Sequence, residues 1–196
     1  MEFLCCYSQS NPLLEPTPLS VAVIGDPGCG KTSLIYRFSR GHLPLVGQEI
    51  SASLDTDKLD IVHSNRQIAL TLCETSGHED DARVRALAYK CDVIILCFPL
   101  DSTEAQRRVV SEWAPEVTLL KRGKPFLLVG TKRDLRDEAK KKIGSKVGYV
   151  SKAVGKKIAK QIGAKAFFEC SVIDSDSEKV TKRIFGRAIR EGLKSS

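Results

Sequence analysis

Apolar residues along this chain come in six short runs: LSVAVIG (19–25), KLDIVHS (58–64), RQIALTLC (66–73), CDVIILCF (91–98), KPFLLVG (124–130) and KAFFECS (165–171). Runs of this length, rich in β-branched residues and bounded by polar or turn-forming ones, read as strands. Between them the apolar spacing widens to a helical period, with helices expected after Lys31, Asp80, Ser102, Ser151 and Ser175. The second and third strands are separated only by the turn Ser64–Arg66, so they pair as a hairpin, while the remaining strands are joined by helical crossovers and run parallel. The pattern predicts a single α/β domain: a doubly wound, six-stranded, mostly parallel sheet with one antiparallel edge strand and helices on both faces. Residues 1–17 carry Pro12 and Pro16, with Pro18 just beyond, and show no periodicity, so they read as a flexible N-terminal extension to a domain spanning 18–196. No internal repeat is present.

A length of 196 residues with 42% hydrophobic content allows one substantial core. No apolar run reaches 18 residues, and Glu2 stands where a secretory leader would be basic, so the expectation is a cytoplasmic chain. Seven cysteines (Cys5, Cys6, Cys29, Cys73, Cys91, Cys97 and Cys170) fall mostly in or beside apolar runs rather than at disulfide or zinc spacings, which fits a reducing compartment. The net charge of +7 is concentrated: Lys132 to Lys165 holds twelve Lys/Arg against Asp134, Asp137 and Glu138. Such a run is either a solvated helical face or a surface for an anionic membrane or acidic partner. Nucleic acid is disfavoured, because no aromatic residues interleave with the cations.

Three stretches carry chemistry. Gly25, Gly30, Lys31 and Thr32 satisfy G-x-x-x-x-G-K-[ST] directly after a strand and directly before a helix. Glycines let successive backbone N–H groups turn toward phosphate oxygens, the lysine reaches the terminal phosphates and the threonine hydroxyl ligates magnesium. Next, Thr131, Lys132 and Asp134 follow a strand at the sheet edge where doubly wound folds bind ligands. A carboxylate at Asp134 can accept from guanine N1–H and its exocyclic amine, a paired donor set that adenine lacks, and the Lys132 stem can lie across the base. Finally, Glu169, Cys170 and Ser171 end another strand, placed to offer backbone N–H groups to the base oxygen.

In this order and on these strand ends, the three stretches resemble the Ras superfamily of small GTP-binding proteins and, within it, the Rho family. The resemblance spans roughly residues 19–193. Its Rho character rests on GDPGCGKTSL (25–34), WAPEV (113–117), VGTKRDLRD (129–137) and extra basic residues between 139 and 146, where Rho proteins carry an inserted helix. The resemblance implies GTP and GDP as ligands, Mg2+ as cofactor, and effector and exchange-factor proteins of unspecified identity as partners. It implies phosphate contacts from Asp26, Pro27, Gly28, Cys29, Gly30, Lys31, Thr32 and Ser33, base contacts from Thr131, Lys132, Asp134, Leu135, Cys170, Ser171 and Val172, and Lys31 with Gly77 beside the terminal phosphate.

Departures from the family pattern cluster where the terminal phosphate is sensed. Pro27 stands where the family commonly has glycine; it is either a tolerated loop proline or an obstacle to an activating arginine. ETSGHED (74–80) aligns with D-T-A-G-Q-E, so Glu74 replaces an aspartate that orients a magnesium-bound water, moving the carboxylate by about 1.5 Å. His78 replaces the water-orienting glutamine and is either a base or a solvent-exposed loop histidine. The first switch, LPLVGQEISAS (43–53), holds no threonine for magnesium; Ser51 and Ser53 are the candidates. The C-terminus, IREGLKSS, lacks a prenylation box, while Cys5 and Cys6 are either ordinary thiols or S-acylation sites that would attach the chain to the cytosolic face of a membrane. The expectation is a switch protein that hydrolyses GTP slowly or not at all. The alternatives are a nucleotide-binding pseudo-GTPase scaffold and a competent GTPase with altered regulators.

Overall fold

The computed structural model describes residues 15–43, 56–75, 86, 88–120, 123–143 and 148–195. Six strands form one sheet: β1 (Thr17–Gly25), β2 (Thr56–His63), β3 (Arg66–Glu74), β4 (Val93–Pro99), β5 (Phe126–Thr131) and β6 (Phe167–Glu169). Their order is β2-β3-β1-β4-β5-β6, with β2–β3 antiparallel and the other pairs parallel. The doubly wound sheet with one antiparallel edge strand that the hydrophobic pattern predicts is therefore present. β1 begins at Thr17, one residue before the expected domain boundary, and β6 is shorter than its apolar run. The hairpin turn works because Ser64 (φ 50°) and Asn65 (φ 63°) both take left-handed backbone, matching a two-residue turn to the twist of the strands.

The described helices are α1 (Lys31–Ser39), α2 (Thr103–Arg108), α3 (Ala114–Leu120), α4 (Arg133–Ile143), α5 (Lys152–Gln161) and α6 (Ser177–Gly192), with a π-helical stretch, Val109–Trp113, between α2 and α3. The helix expected after Asp80 lies outside the described residues. α4 takes in the first basic residues of the 139–146 stretch, and it begins directly after β5. No described helix is long and apolar enough to cross a membrane.

Strand alternation divides the core. Val21 and Val23 of β1 face α1 and α6, packing with Leu34, Ile184, Phe185 and Ile189. Ala22 and Ile24 face the other way, toward Val109, Trp113, Val117 and Ile158. A two-residue period thus sends neighbouring side chains to opposite layers. β4 and β5 are buried along their whole length, as parallel strands covered on both faces must be. Phe38 of α1 stacks on Phe185 of α6 at 4.0 Å between ring centres, fixing the end of α1 against the last helix. The layers thereby bring the carboxyl ends of β1, β5 and β6 to one edge.

Candidate functional site

At the end of β1 the chain must turn beneath β4. Gly25 has φ 140°, and a Cβ there would collide with the Cys97 carbonyl, so no other residue fits. The loop from Asp26 to Gly30 closes with Cys29 N–H donating to Asp26 O at 3.2 Å, and Gly30 (φ 96°) caps α1 without any side-chain acceptor. The first amides of α1 are thus left facing the loop, an arrangement that attracts anions. Above Gly28 there is open space. Lys31 is 4% exposed, and its ammonium donates to Gly25 O (3.0 Å) and Asp26 O (2.9 Å), holding a buried positive charge on the loop backbone. Pro27 is exposed, and Ser33, the third residue of the helix, is half-buried.

The Asp26 side chain turns away from the loop interior. Trp113 Nε1 donates to its Oδ1 at 2.8 Å, and Arg108 Nη2 lies 3.3 Å from the same oxygen. Arg108 is the residue just before the π-helical stretch and Trp113 is the last residue within it, so the stretch spans the two side chains that meet Asp26. Sequence reading used Trp113 only as a family marker and overlooked Arg108; the WAPEV motif was the signal that this helix meets the loop.

Beside Lys31, the Thr32 hydroxyl donates to Glu74 Oε1. The longer carboxylate therefore reaches the threonine rather than standing back from it. A hydroxyl and a carboxylate oxygen converging at one point suit a hard divalent cation, which takes few protein ligands when it is Mg2+. Among the described residues no cluster of three or more His, Cys, Asp or Glu exists, and a Mg2+ shared with phosphates does not need one. The next residue, Thr75, has a buried hydroxyl with no partner among the described residues, another feature the sequence did not reveal.

At the other end of the edge, the Thr131 hydroxyl sits 2.5 Å from Cys29 O and 3.1 Å from Phe98 O and is buried. Thr131 was expected at the base end of the site, and its hydroxyl there ties the β5 loop to the loop after β1. Lys132 adopts left-handed backbone (φ 54°), and Asp134 lies in the first turn of α4, where its carboxylate accepts no hydrogen bond among the described residues. Leu135 is exposed beside it. Arg136 donates to Glu169 Oε1 at the end of β6 and to Asp137 Oδ1 at 2.9 Å, bracing α4 against that strand.

Cys170 does not offer its N–H to a ligand. That amide donates to Gly130 O at 2.8 Å, and its buried thiol is pushed up to about 12 by burial. The amides of Ser171 and Val172 remain without a described acceptor. The Ser171 hydroxyl accepts from Ile173 N–H at 3.3 Å, while the Val172 side chain packs on the core. Cys29 is likewise pushed up, to about 11, mainly by burial, so neither thiol is a nucleophile at neutral pH. Gly77, His78, Ser51, Ser53, Cys5 and Cys6 lie outside the described residues.

The arrangement thus sets a buried cation and open helix amides on the same sheet edge as a carboxylate and two amides without partners among the described residues, which suits a phosphorylated ligand whose other end carries paired donors and an acceptor. Comparison with known proteins agrees. The model of the Ras family matches residues 20–193. The GTP-binding protein RHO1 of Candida albicans is 33% identical over 180 residues, covering 89% of this chain and 87% of that protein.

Proposed function

Because this chain belongs to the Ras family as a Rho-like small GTPase, we propose that it is a guanine-nucleotide switch that binds GTP and GDP with Mg2+ and hydrolyses GTP slowly. One observation carries the reading: Asp134 and the amides of Ser171 and Val172 stand without described partners at the base end, while Lys31 waits on loop carbonyls at the phosphate end. Lys31 would exchange those carbonyls for phosphate oxygens, a stronger charge-assisted bond. Asp134 would accept from guanine N1–H and the exocyclic amine, with Lys132 across the base. Thr32 and Glu74 would hold Mg2+, which when bound neutralises developing charge on the phosphates.

Slow hydrolysis follows from three residues. Pro27 places a ring where an activating arginine would enter, His78 stands in place of a water-orienting amide, and Glu74 reaches Thr32 with a longer arm than the family's aspartate. Phosphate release from preloaded GTP in a single turnover tests this reading. Slow release with little stimulation by a Rho-type activating protein is expected; fast turnover would refute it in favour of a competent enzyme with altered regulators, and no turnover with tight GTP binding would make the protein a scaffold. Partners are exchange factors, effectors and the cytosolic face of an anionic membrane, approached through Cys5, Cys6 and the lysines of α4 and α5. Cys5→Ser with Cys6→Ser should lower the membrane-bound fraction in cells; an unchanged fraction removes the thiols from the proposal.

A further inference from the structure

The two loops that face the base are held together in two ways. Near the strand ends the links are backbone bonds: Cys170 N–H to Gly130 O at 2.8 Å and Arg133 N–H to Cys170 O at 3.1 Å. Farther out, one guanidinium bridges them. Arg133 Nη2 donates to Asp174 Oδ2 at 2.7 Å and to Asp176 Oδ1 at 2.6 Å, and Nε donates to Asp174 Oδ2 at 3.2 Å. Arg133 lies between Lys132, whose left-handed backbone needs support from its surroundings, and Asp134, whose carboxylate faces no described partner. Asp174 and Asp176 lie just beyond the free amides of Ser171 and Val172.

The far end of this bridge continues. Asp176 is the residue before α6, and the next residue, Ser177, accepts at its hydroxyl from Arg37 Nε (2.9 Å) and Nη2 (2.6 Å) of α1, whose Nη1 reaches Gly41 O (2.8 Å). Side-chain bonds on either side of the Asp176–Ser177 peptide link thus connect the Asp134 loop to the last turns of α1. Three donor contacts from one planar group to two carboxylates form a network, the exception among partly exposed ion pairs that carries measurable free energy.

We propose that Arg133 is a positioning residue whose clasp on Asp174 and Asp176 keeps the two base-facing loops closed and sets how long the nucleotide is retained. This rests on the guanine-nucleotide reading above. Opening the clasp frees Lys132 to leave its left-handed conformation and lets Asp134 swing away from the base. The cost falls on dissociation more than on association, because the open loops still admit ligand.

The test is the release rate of fluorescently labelled GDP from the full-length protein, chased with excess GDP. Arg133→Gln should release the label about fivefold to tenfold faster, and the Asp174→Asn, Asp176→Asn pair should do the same. Combining all three changes should add nothing further, since one interaction is being removed. Arg133→Lys, which keeps the charge and loses the planar fork, should fall between the extremes. Wild-type release should quicken with salt while the Arg133→Gln rate stays flat. Where Arg133→Gln lowers the unfolding midpoint at saturating GDP, Asp174→Asn alone serves as the gentler variant. Unchanged release in both Arg133→Gln and the aspartate pair overturns the clasp, as does additivity in the triple variant. Failure of the wild-type protein to hold labelled GDP at all removes the nucleotide reading first, and the clasp with it.

Discussion

The two ends of the candidate site are built differently. At the base end, groups near the expected base contacts are bonded to protein: the Thr131 hydroxyl to the Cys29 and Phe98 carbonyls, the Cys170 backbone N–H to the Gly130 carbonyl, and the neighbouring Arg136 side chain to Glu169. Among the described residues, the Asp134 carboxylate and the amides of Ser171 and Val172 are left without partners on this braced frame. At the phosphate end, the polar groups that would meet ligand are satisfied provisionally, Lys31 by loop carbonyls and Thr32 by Glu74. The difference teaches that, on the proposed reading, base recognition would rest on a frame already braced by protein bonds, whereas phosphate binding would require groups to change partners.

The largest effect should come from breaking the braced end. Asp134→Asn turns an acceptor into a donor facing guanine donors, and should weaken GTP binding by about a hundredfold or more while xanthine nucleotides gain, measured by competition titration. An equal affinity for both before and after would detach this residue from base reading. Restoring the phosphate end comes next. Glu74→Asp with His78→Gln should raise the single-turnover hydrolysis rate about tenfold, the equivalent of about 1.4 kcal/mol, and adding Pro27→Gly should recover stimulation by an activating protein. These changes act on one transition state and need not sum.

A smaller effect is expected where the helical segment before α3 supports the loop after β1. Trp113→Phe keeps most of the ring in its buried place but removes the bond to Asp26, leaving Arg108 as that carboxylate's described partner. It should cost about 1–2 kcal/mol, lowering the thermal midpoint by roughly 2–8 °C; a midpoint unchanged by scanning calorimetry would show that Asp26 needs only the arginine. The smallest effect is that of pH on the clasp. The Arg133 guanidinium holds the Asp176 carboxyl below its ordinary range. A depressed folded value means that the contribution is complete above the unfolded carboxyl range of about 3.9 and is lost only as pH falls through the folded value. GDP release should therefore stay level between pH 8 and pH 5, and a rise in release across that interval would place a different titrating group in control.

Local features were legible in the sequence because local physics creates them. Two-residue alternation in SVAVI is what sends Val21 and Ala22 to opposite layers, the Ser64–Asn65 pair is what a tight hairpin demands, and the G-x-x-x-x-G-K-T spacing is what lets a strand turn into a helix beneath β4. The placement of Asp134 just after a strand, at the sheet edge, was read from the run before it, but the helix that it opens was not among the expected ones. The helix over Arg133–Ile143 was less legible, because its exposed lysines give almost no apolar period to read.

Legible in the sequence alone were the strands, the hairpin and the glycine-rich loop between β1 and α1, since each depends on residues close along the chain, while the parallel pairing of the other strands was inferred from the helical crossovers between them. Only the tertiary structure decided that Thr131 braces Cys29 across 102 positions, that Trp113 and Arg108 hold Asp26, that Glu74 reaches Thr32 across 42 positions, and that Arg133 closes on Asp174 and Asp176. A hydrogen bond between distant residues depends on distance and angle in space, and no spacing along the chain encodes those until the sheet has brought its edges together.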